Sequence, residues 1–134
     1  CRVIAKVLLT LFLSLSLNSN ADAFKTEIDI SKVRQEAEQG DSNAQFILGG
    51  SYKYGNGVLK DYRQAFKWFK LSAEQGKAGA QNSLAMLYAY GEGTLKDLGK
   101  AKYWVKKSYE NPNADINTLD LAEDIWNDFK LWKY

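Results

Sequence analysis

The chain has 134 residues, of which 46% are hydrophobic and 25% charged. These are the proportions of one globular domain and exclude a disordered tail. The net charge is +2, and Lys and Arg are interspersed with Asp and Glu. The clustered basic face that a nucleic-acid binder needs is therefore missing, and no nucleic-acid partner is expected.

The first segment reads as a leader. Arg2 and Lys6 supply positive charge, Val7 to Leu17 forms an apolar run, and Ala21-Asp22-Ala23 is a small-x-small site before Phe24. That order is the layout of a secretory signal peptide, expected to span residues 1–23 and to be cleaved after Ala23. The alternative is an uncleaved anchor, but the run falls short of the roughly 20 residues of a membrane span. Cys1 precedes the run, whereas a lipid-attachment cysteine would follow it. The expected location is periplasmic or secreted, with no membrane insertion after cleavage.

The chain contains one Cys and no His. After cleavage at Ala23 it would hold neither, and so no disulfide, no thiolate nucleophile, no imidazole base and no usual zinc or copper ligand. Most hydrolase mechanisms and most transition-metal sites go with them. No catalytic residue, cofactor site or metal site is assigned, and none is expected.

Beyond the leader the sequence repeats itself. A half unit comes first, over residues 28–40, with a helix from Ile28 to Gln39, Asp29 as its cap and Ile30, Val33 and Ala37 as its buried stripe. The first full unit covers residues 41–76. A helix from about Asn43 to Lys53 places Ala44, Leu48, Ser51 and Tyr52 on one face. Gly55 and Gly57 mark a tight loop. Asp61, with Gln64 three residues on, has the spacing of a capping box and opens a second helix from Tyr62 to about Gln75. The stripe of that helix is Ala65, Trp68, Phe69 and Ser72, and Gly76 is placed to end it.

The second unit, residues 77–112, repeats the plan without a gap at a period of roughly 36 residues. Ala37-Glu38-Gln39-Gly40 returns as Ala73-Glu74-Gln75-Gly76, Tyr52, Tyr54, Gly55 and Gly57 as Tyr88, Tyr90, Gly91 and Gly93, and Leu59-Lys60-Asp61 as Leu95-Lys96-Asp97. Trp68 returns as Trp104. Helices are expected over Ala78 to Ala89 and Leu98 to Tyr109. Asn111-Pro112-Asn113 then breaks the pattern. Ile116, Leu119, Ala122, Trp126 and Phe129 follow at helical spacing, so Asp115 to Lys133 should be an amphipathic closing helix within a capping segment, residues 113–134. An end repeat otherwise exposes its stacking face. The fold class is all-α: an α-solenoid of antiparallel helix pairs.

These residues carry a family resemblance. Ala44, Gln45, Leu48, Gly49 and Tyr52, then Gly55, Gly57 and Val58, then Asp61, Ala65, Trp68-Phe69 and Ala73 to Gly76 resemble the Sel-1-like repeat, a relative of the tetratricopeptide repeat. The match covers about Glu36 to Glu110. The second copy departs with Ala85 for the helix glycine, Thr94 for the valine and Gly99 inside the second helix. The ending Leu131-Trp132-Lys133-Tyr134 is similar to the tail of small exported bacterial members. The resemblance implies a right-handed superhelix and adaptor or scaffold roles in protein complexes, in bacteria often at the envelope. It supplies no active site. Cysteine-rich relatives credited with β-lactam chemistry do not carry over to a mature chain without cysteine.

The repeated residues are explained by packing, with Asp61 and Asp97 as helix caps rather than paired catalytic carboxylates. A partner is expected instead at positions that differ between units. Phe46, Gly50 and Lys53 form a stripe on the first helix, and Asn82, Met86 and Ala89 take the equivalent places next door. Side by side, these stripes would line a concave surface able to hold an extended peptide or a helix. The competing reading is that Phe46 and Met86 pack on neighbouring helices. Trp132 and Tyr134 are a second candidate, either as cap packing or as a partner surface. The expected function is an exported protein-protein interaction module with a protein or peptide partner. The alternatives are a periplasmic immunity-type inhibitor of a toxin and, less favoured, a cell-wall-active enzyme.

Overall fold

The computed structural model describes residues 28–134; the expected leader and its expected cleavage site lie outside them. The described chain forms α1 (Ile30–Glu38), α2 (Ser42–Tyr54), α3 (Tyr62–Glu74), α4 (Ala78–Tyr90), α5 (Leu98–Tyr109), α6 (Ile116–Asp128) and a 3-10 turn (Leu131–Lys133), with no strand among the described residues. Each helix packs on its neighbours in sequence, and α4 and α5 both touch α6. This is an α-solenoid: α1 is the half unit, α2–α3 and α4–α5 are the full units, and α6 stands in the place of a third first helix.

Local chemistry sets the ends. Asp29, Asp41, Asp61, Asp97 and Asp115 each precede a helix and accept hydrogen bonds from amides of its first turn, which satisfies donors that the helix itself leaves unpaired. The helix α4 begins at Lys77 without a side-chain cap. Burial compensates, because nine of its residues are buried between the two flanking pairs. At the other ends, Gly40 and Gly76 take φ of 101° and 91°. Gly76 N–H donates to Ala73 O, and Lys77 N–H donates to Ser72 O. That is a Schellman closure.

The loop glycines differ in what surrounds them. Gly57 and Gly93 have φ of 72° and 71°, which L side chains resist. A Cβ on Gly57 would sit 3.6 Å from the side chain of Ile30, whereas one on Gly93 would sit 2.1 Å from the backbone oxygen of Tyr62. The second loop thus lies directly against the start of α3.

The expected stripes form the core. Ala44, Leu48, Ala65, Trp68, Phe69, Ala80, Leu84, Ala101 and Val105 are buried. Gly49 admits Phe69, whose ring carbon lies 2.7 Å from where a Cβ would stand. In the second unit Ala85 replaces this glycine and Val105 replaces the phenylalanine, so the smaller partner leaves room for the methyl group.

Polar side chains fasten one unit to the next and the two helices within each unit. Gln45 Nε2 donates to Ala37 O and Gln81 Nε2 to Ala73 O, both at 3.2 Å. Gln75 Nε2 donates to Gly40 O and to Gln45 Oε1. Asn111, one period later, donates through Nδ2 to Gly76 O and to Gln81 Oε1. Ser72 Oγ donates to Ser42 O, and Ser108 Oγ to Ala78 O. An unpaired buried amide is costly, so these bonds fix register as well as adding stability.

Two expectations need correction. The closing helix ends at Asp128, not Lys133: Lys130 adopts φ 50°, a left-handed conformation that breaks the ladder, and Leu131 folds back fully buried. Trp104 is only half-buried at the edge of the core, with Lys107 over its ring, whereas Trp68 is 6% exposed. Trp68 has α1 and α2 to pack beneath; Trp104 is flanked on its outer side by solvent-facing Tyr103 and Lys107.

Candidate functional site: the concave face

The first helices, α2, α4 and α6, line one face. Phe46 on α2 is half-buried: its ring centroid lies 5.8 Å from that of Phe69, and its edge covers Gly79, where a Cβ would come within 3.2 Å. One turn on, Gly50 has nothing within 4 Å of its Cβ direction, which leaves a notch beside the ring. Lys53 follows, half-buried, with its ammonium 5.3 Å from the Tyr54 ring. On α4, Met86 is half-buried against the main core. Phe46, Gly50, Lys53 and Met86 therefore keep accessible surface.

Asn82 and Ala89 do not. They are 0% and 1% exposed, so neither is available to a partner, contrary to the expectation from sequence. The cause is α6, which docks along α4. Asn82 Nδ2 donates to Thr118 O at 2.8 Å, and Tyr90 meets Phe129 edge-on at 4.9 Å. Asn82 is thus a fastener of the closing helix; its Oδ1 is buried with no partner among the described residues. Trp132 and Tyr134 are 53% and 61% exposed and stand at the far end of α6, away from the Phe46 stripe.

Sequence reasoning missed the rest of the cleft. Phe46 opens on a space of about 410 Å³ bounded by Ser42, Gln75, Lys77, Gly79, Asp115 and Thr118. Lys77 reaches within 5.8 Å of the Phe46 ring. Across the cleft, the Asp115 carboxyl is held below its ordinary value, chiefly by hydrogen bonding from Thr118 and to a lesser degree by Lys77. The space holds an aromatic ring, one ammonium and one carboxylate, a set suited to an amphipathic segment rather than to bond-breaking chemistry. The period was the available signal: Ser42 and Lys77 both sit at the starts of first helices. Among the described residues no group of three or more Cys, His, Asp or Glu is placed to hold a metal. Asp61 and Asp97 are engaged as caps.

The fold, the repeated glycine loops and the amide fastenings define a class, the α-solenoid proteins built from two-helix repeats. Within it, the Sel1 repeat family model matches residues 42–77 and 78–113, and the chain belongs to that family. Among solved structures it is similar to a Sel1 repeat protein from Oxalobacter formigenes, with 31% identity and a TM-score of 0.66 over 81% of this chain and 41% of that one. It is also similar to a protective antigen of uropathogenic Escherichia coli strains that displays an SLR fold, with 27% identity and a TM-score of 0.60 over 88% of this chain and 30% of that one. The chain thus spans less than half the length of either relative. No curated protein matches it. Sel1 repeats generally serve as protein-protein interaction modules.

Proposed function

We propose that this chain is an exported interaction module, periplasmic or secreted, that takes a protein or peptide segment on its concave face and catalyses nothing. The observation that carries the reading is the open stripe of α2, where the Phe46 ring stands beside the unfilled notch at Gly50. An apolar side chain of a partner fits the notch, Lys53 and Lys77 suit acidic neighbours, and flexible Met86 adapts to either. The polar fastenings elsewhere in the solenoid are used up internally, which leaves this stripe as the variable surface.

Two measurements test it. Proteins recovered from cell envelope with the wild type are compared with those recovered by a Phe46→Asp/Lys53→Glu variant of unchanged helicity. Loss of specific prey supports the concave site, and identical prey refutes it. For export, N-terminal sequencing of protein recovered from the periplasm or medium should begin at Phe24; recovery of the uncleaved chain in the cytoplasm refutes that part.

A further inference from the structure

The solenoid has two edges, and they differ in chemistry. On one edge lie the turns that join second helices to first: Gln39–Asp41, Gln75–Lys77 and Asn111–Asp115. These are adjacent, since Gln75 reaches Gly40 O and Asn111 reaches Gly76 O. They carry amides, glycines and charges, and no large apolar residue. The other edge holds the loops that join first helices to second, together with the turn after α6. These are adjacent too: the Gly93 backbone abuts Tyr62, where the first loop ends, and Tyr90 packs on Phe129, where the closing turn begins.

On that second edge each module presents an apolar residue followed by a lysine: Leu59-Lys60, Leu95-Lys96 and Trp132-Lys133. Leu59 is 91% exposed and Leu95 88% exposed. They are repeated residues that packing does not explain. The loops that hold them are rigid, fixed by left-handed glycines and by Asp61 N–H and Asp97 N–H donating to Tyr52 O and Tyr88 O at 2.9 Å. That backbone holds both leucines outward. The carboxylates of the same loops are engaged: Asp61 and Asp97 accept from helix amides, Asp97 also pairs with Lys100 at 3.9 Å, and Glu92 is half-buried. Lys60, Lys96 and Lys133, next to the apolar tips, are all exposed.

We propose that this edge docks peripherally on an anionic lipid bilayer. Leu59, Leu95 and Trp132 enter the acyl-headgroup boundary, and Lys60, Lys96 and Lys133 meet the phosphates. Rows of isolated apolar tips flanked by cations suit a fluid interface, which needs no shaped complement. No helix of the described residues is long and apolar enough to cross a membrane, so this edge would dock peripherally. The edge lies apart from the concave stripe, so both can be occupied together.

The test is cosedimentation of the full chain with vesicles of phosphatidylglycerol and phosphatidylcholine, or of phosphatidylcholine alone. The expected result is binding that needs the anionic lipid, weakens with salt, and falls about tenfold or more in Leu59→Glu/Leu95→Glu. A charge-matched variant on the opposite edge, Gln39→Glu/Asn113→Glu, should bind as the wild type does. Affinity supplied by residues 1–27 is common to all variants, and a local readout separates it: brominated lipid should quench a fluorescence component that Trp132→Phe removes. Circular dichroism checks the fold, and Lys60→Gln/Lys96→Gln, which should lose the salt-sensitive part of binding, serves if the glutamate variant does not fold. Equal binding by both glutamate variants, indifference to anionic lipid, or an unquenched Trp132 overturns the proposal.

Discussion

The two full repeats share a backbone plan and its fastenings, yet they solve the same interior differently. In the first, Gly49 lets a large ring, Phe69, lie across α2; in the second, Ala85 meets the smaller Val105. In the first, the first-helix stripe of Phe46, Gly50 and Lys53 stays open; in the second, the equivalent Asn82 and Ala89 are covered by α6 and only Met86 keeps surface. What is constant between units is how backbone ends and polar groups are satisfied. What varies is how volume is shared and which face is left uncovered. The repeat sequence therefore specifies the joints, and neighbouring elements decide what each unit shows to solvent.

The largest expected difference between the units lies in their loops. Gly57 and Gly93 share one φ, so an alanine at either meets the same backbone strain, about 1–2 kcal/mol. Only at Gly93 does the methyl group also strike the Tyr62 backbone. Gly93→Ala should lose about 4 kcal/mol or more, while Gly57→Ala stays near the strain value. Urea denaturation of the two variants measures the gap directly.

Next comes the exchange of volume. Gly49→Ala should cost about 1–3 kcal/mol by overpacking against Phe69, and the reverse change in the second unit, Ala85→Gly, about 1 kcal/mol of helix propensity. Gly49→Ala/Phe69→Val, which copies the second unit into the first, should be more stable than the sum of its parts predicts. A double-mutant cycle reports that coupling, and additivity would mean that the two positions do not share their space.

A smaller effect tests the fastenings. Gln75→Ala and Asn111→Ala each remove the amide that spans adjacent turns, and each should lose about 1 kcal/mol by thermal or chemical denaturation. If they differ, Asn111→Ala should be the more costly, because Asn111 also holds Asn113 N–H at the entry to α6.

The mildest effect is on acid stability. Hydrogen bonds from Ser31 and Thr118 lower the carboxyl pKa values of Asp29 and Asp115 below 3.8. A depressed carboxyl stabilises the fold above its unfolded pKa, and the contribution is lost as pH falls through the folded one. Asp115→Asn should therefore flatten the loss of stability below about pH 4, with little change at neutrality. Thermal unfolding followed by circular dichroism across that range, wild type against variant, checks the sign.

Much of this architecture was legible in the sequence because a repeat states each packing rule twice. Gly55 and Gly91, Trp68 and Phe69, and the Asp caps fell where the period placed them. Besides the half-burial of Trp104, three features escaped for identifiable reasons. Burial of Asn82 and Ala89 depends on the docking of α6, a tertiary contact that no local pattern encodes. The end of α6 at Asp128 turns on Lys130, a non-glycine residue in left-handed conformation, while the apolar spacing runs on to Leu131. Exposure of Leu59 and Leu95 was hidden by the assumption that a residue returning at the repeat period must be packed. Of the candidate stripe, Phe46, Lys53 and Met86 were singled out by their differences between units and keep accessible surface; Lys77, Asp115 and Thr118, brought in by the N-terminal ends of α4 and α6, carried no such signal.

The ladder of side-chain amides running from Gly40 through Gln75 and Gly76 to Asn111 has a consequence for size. Every rung is built from residues that the unit itself carries, so a further copy inserted in phase would find its attachments already made on both sides. Reach and curvature can then be altered by whole modules without redesigning any seam. Relatives of which this chain spans less than half are what such a modular joint permits.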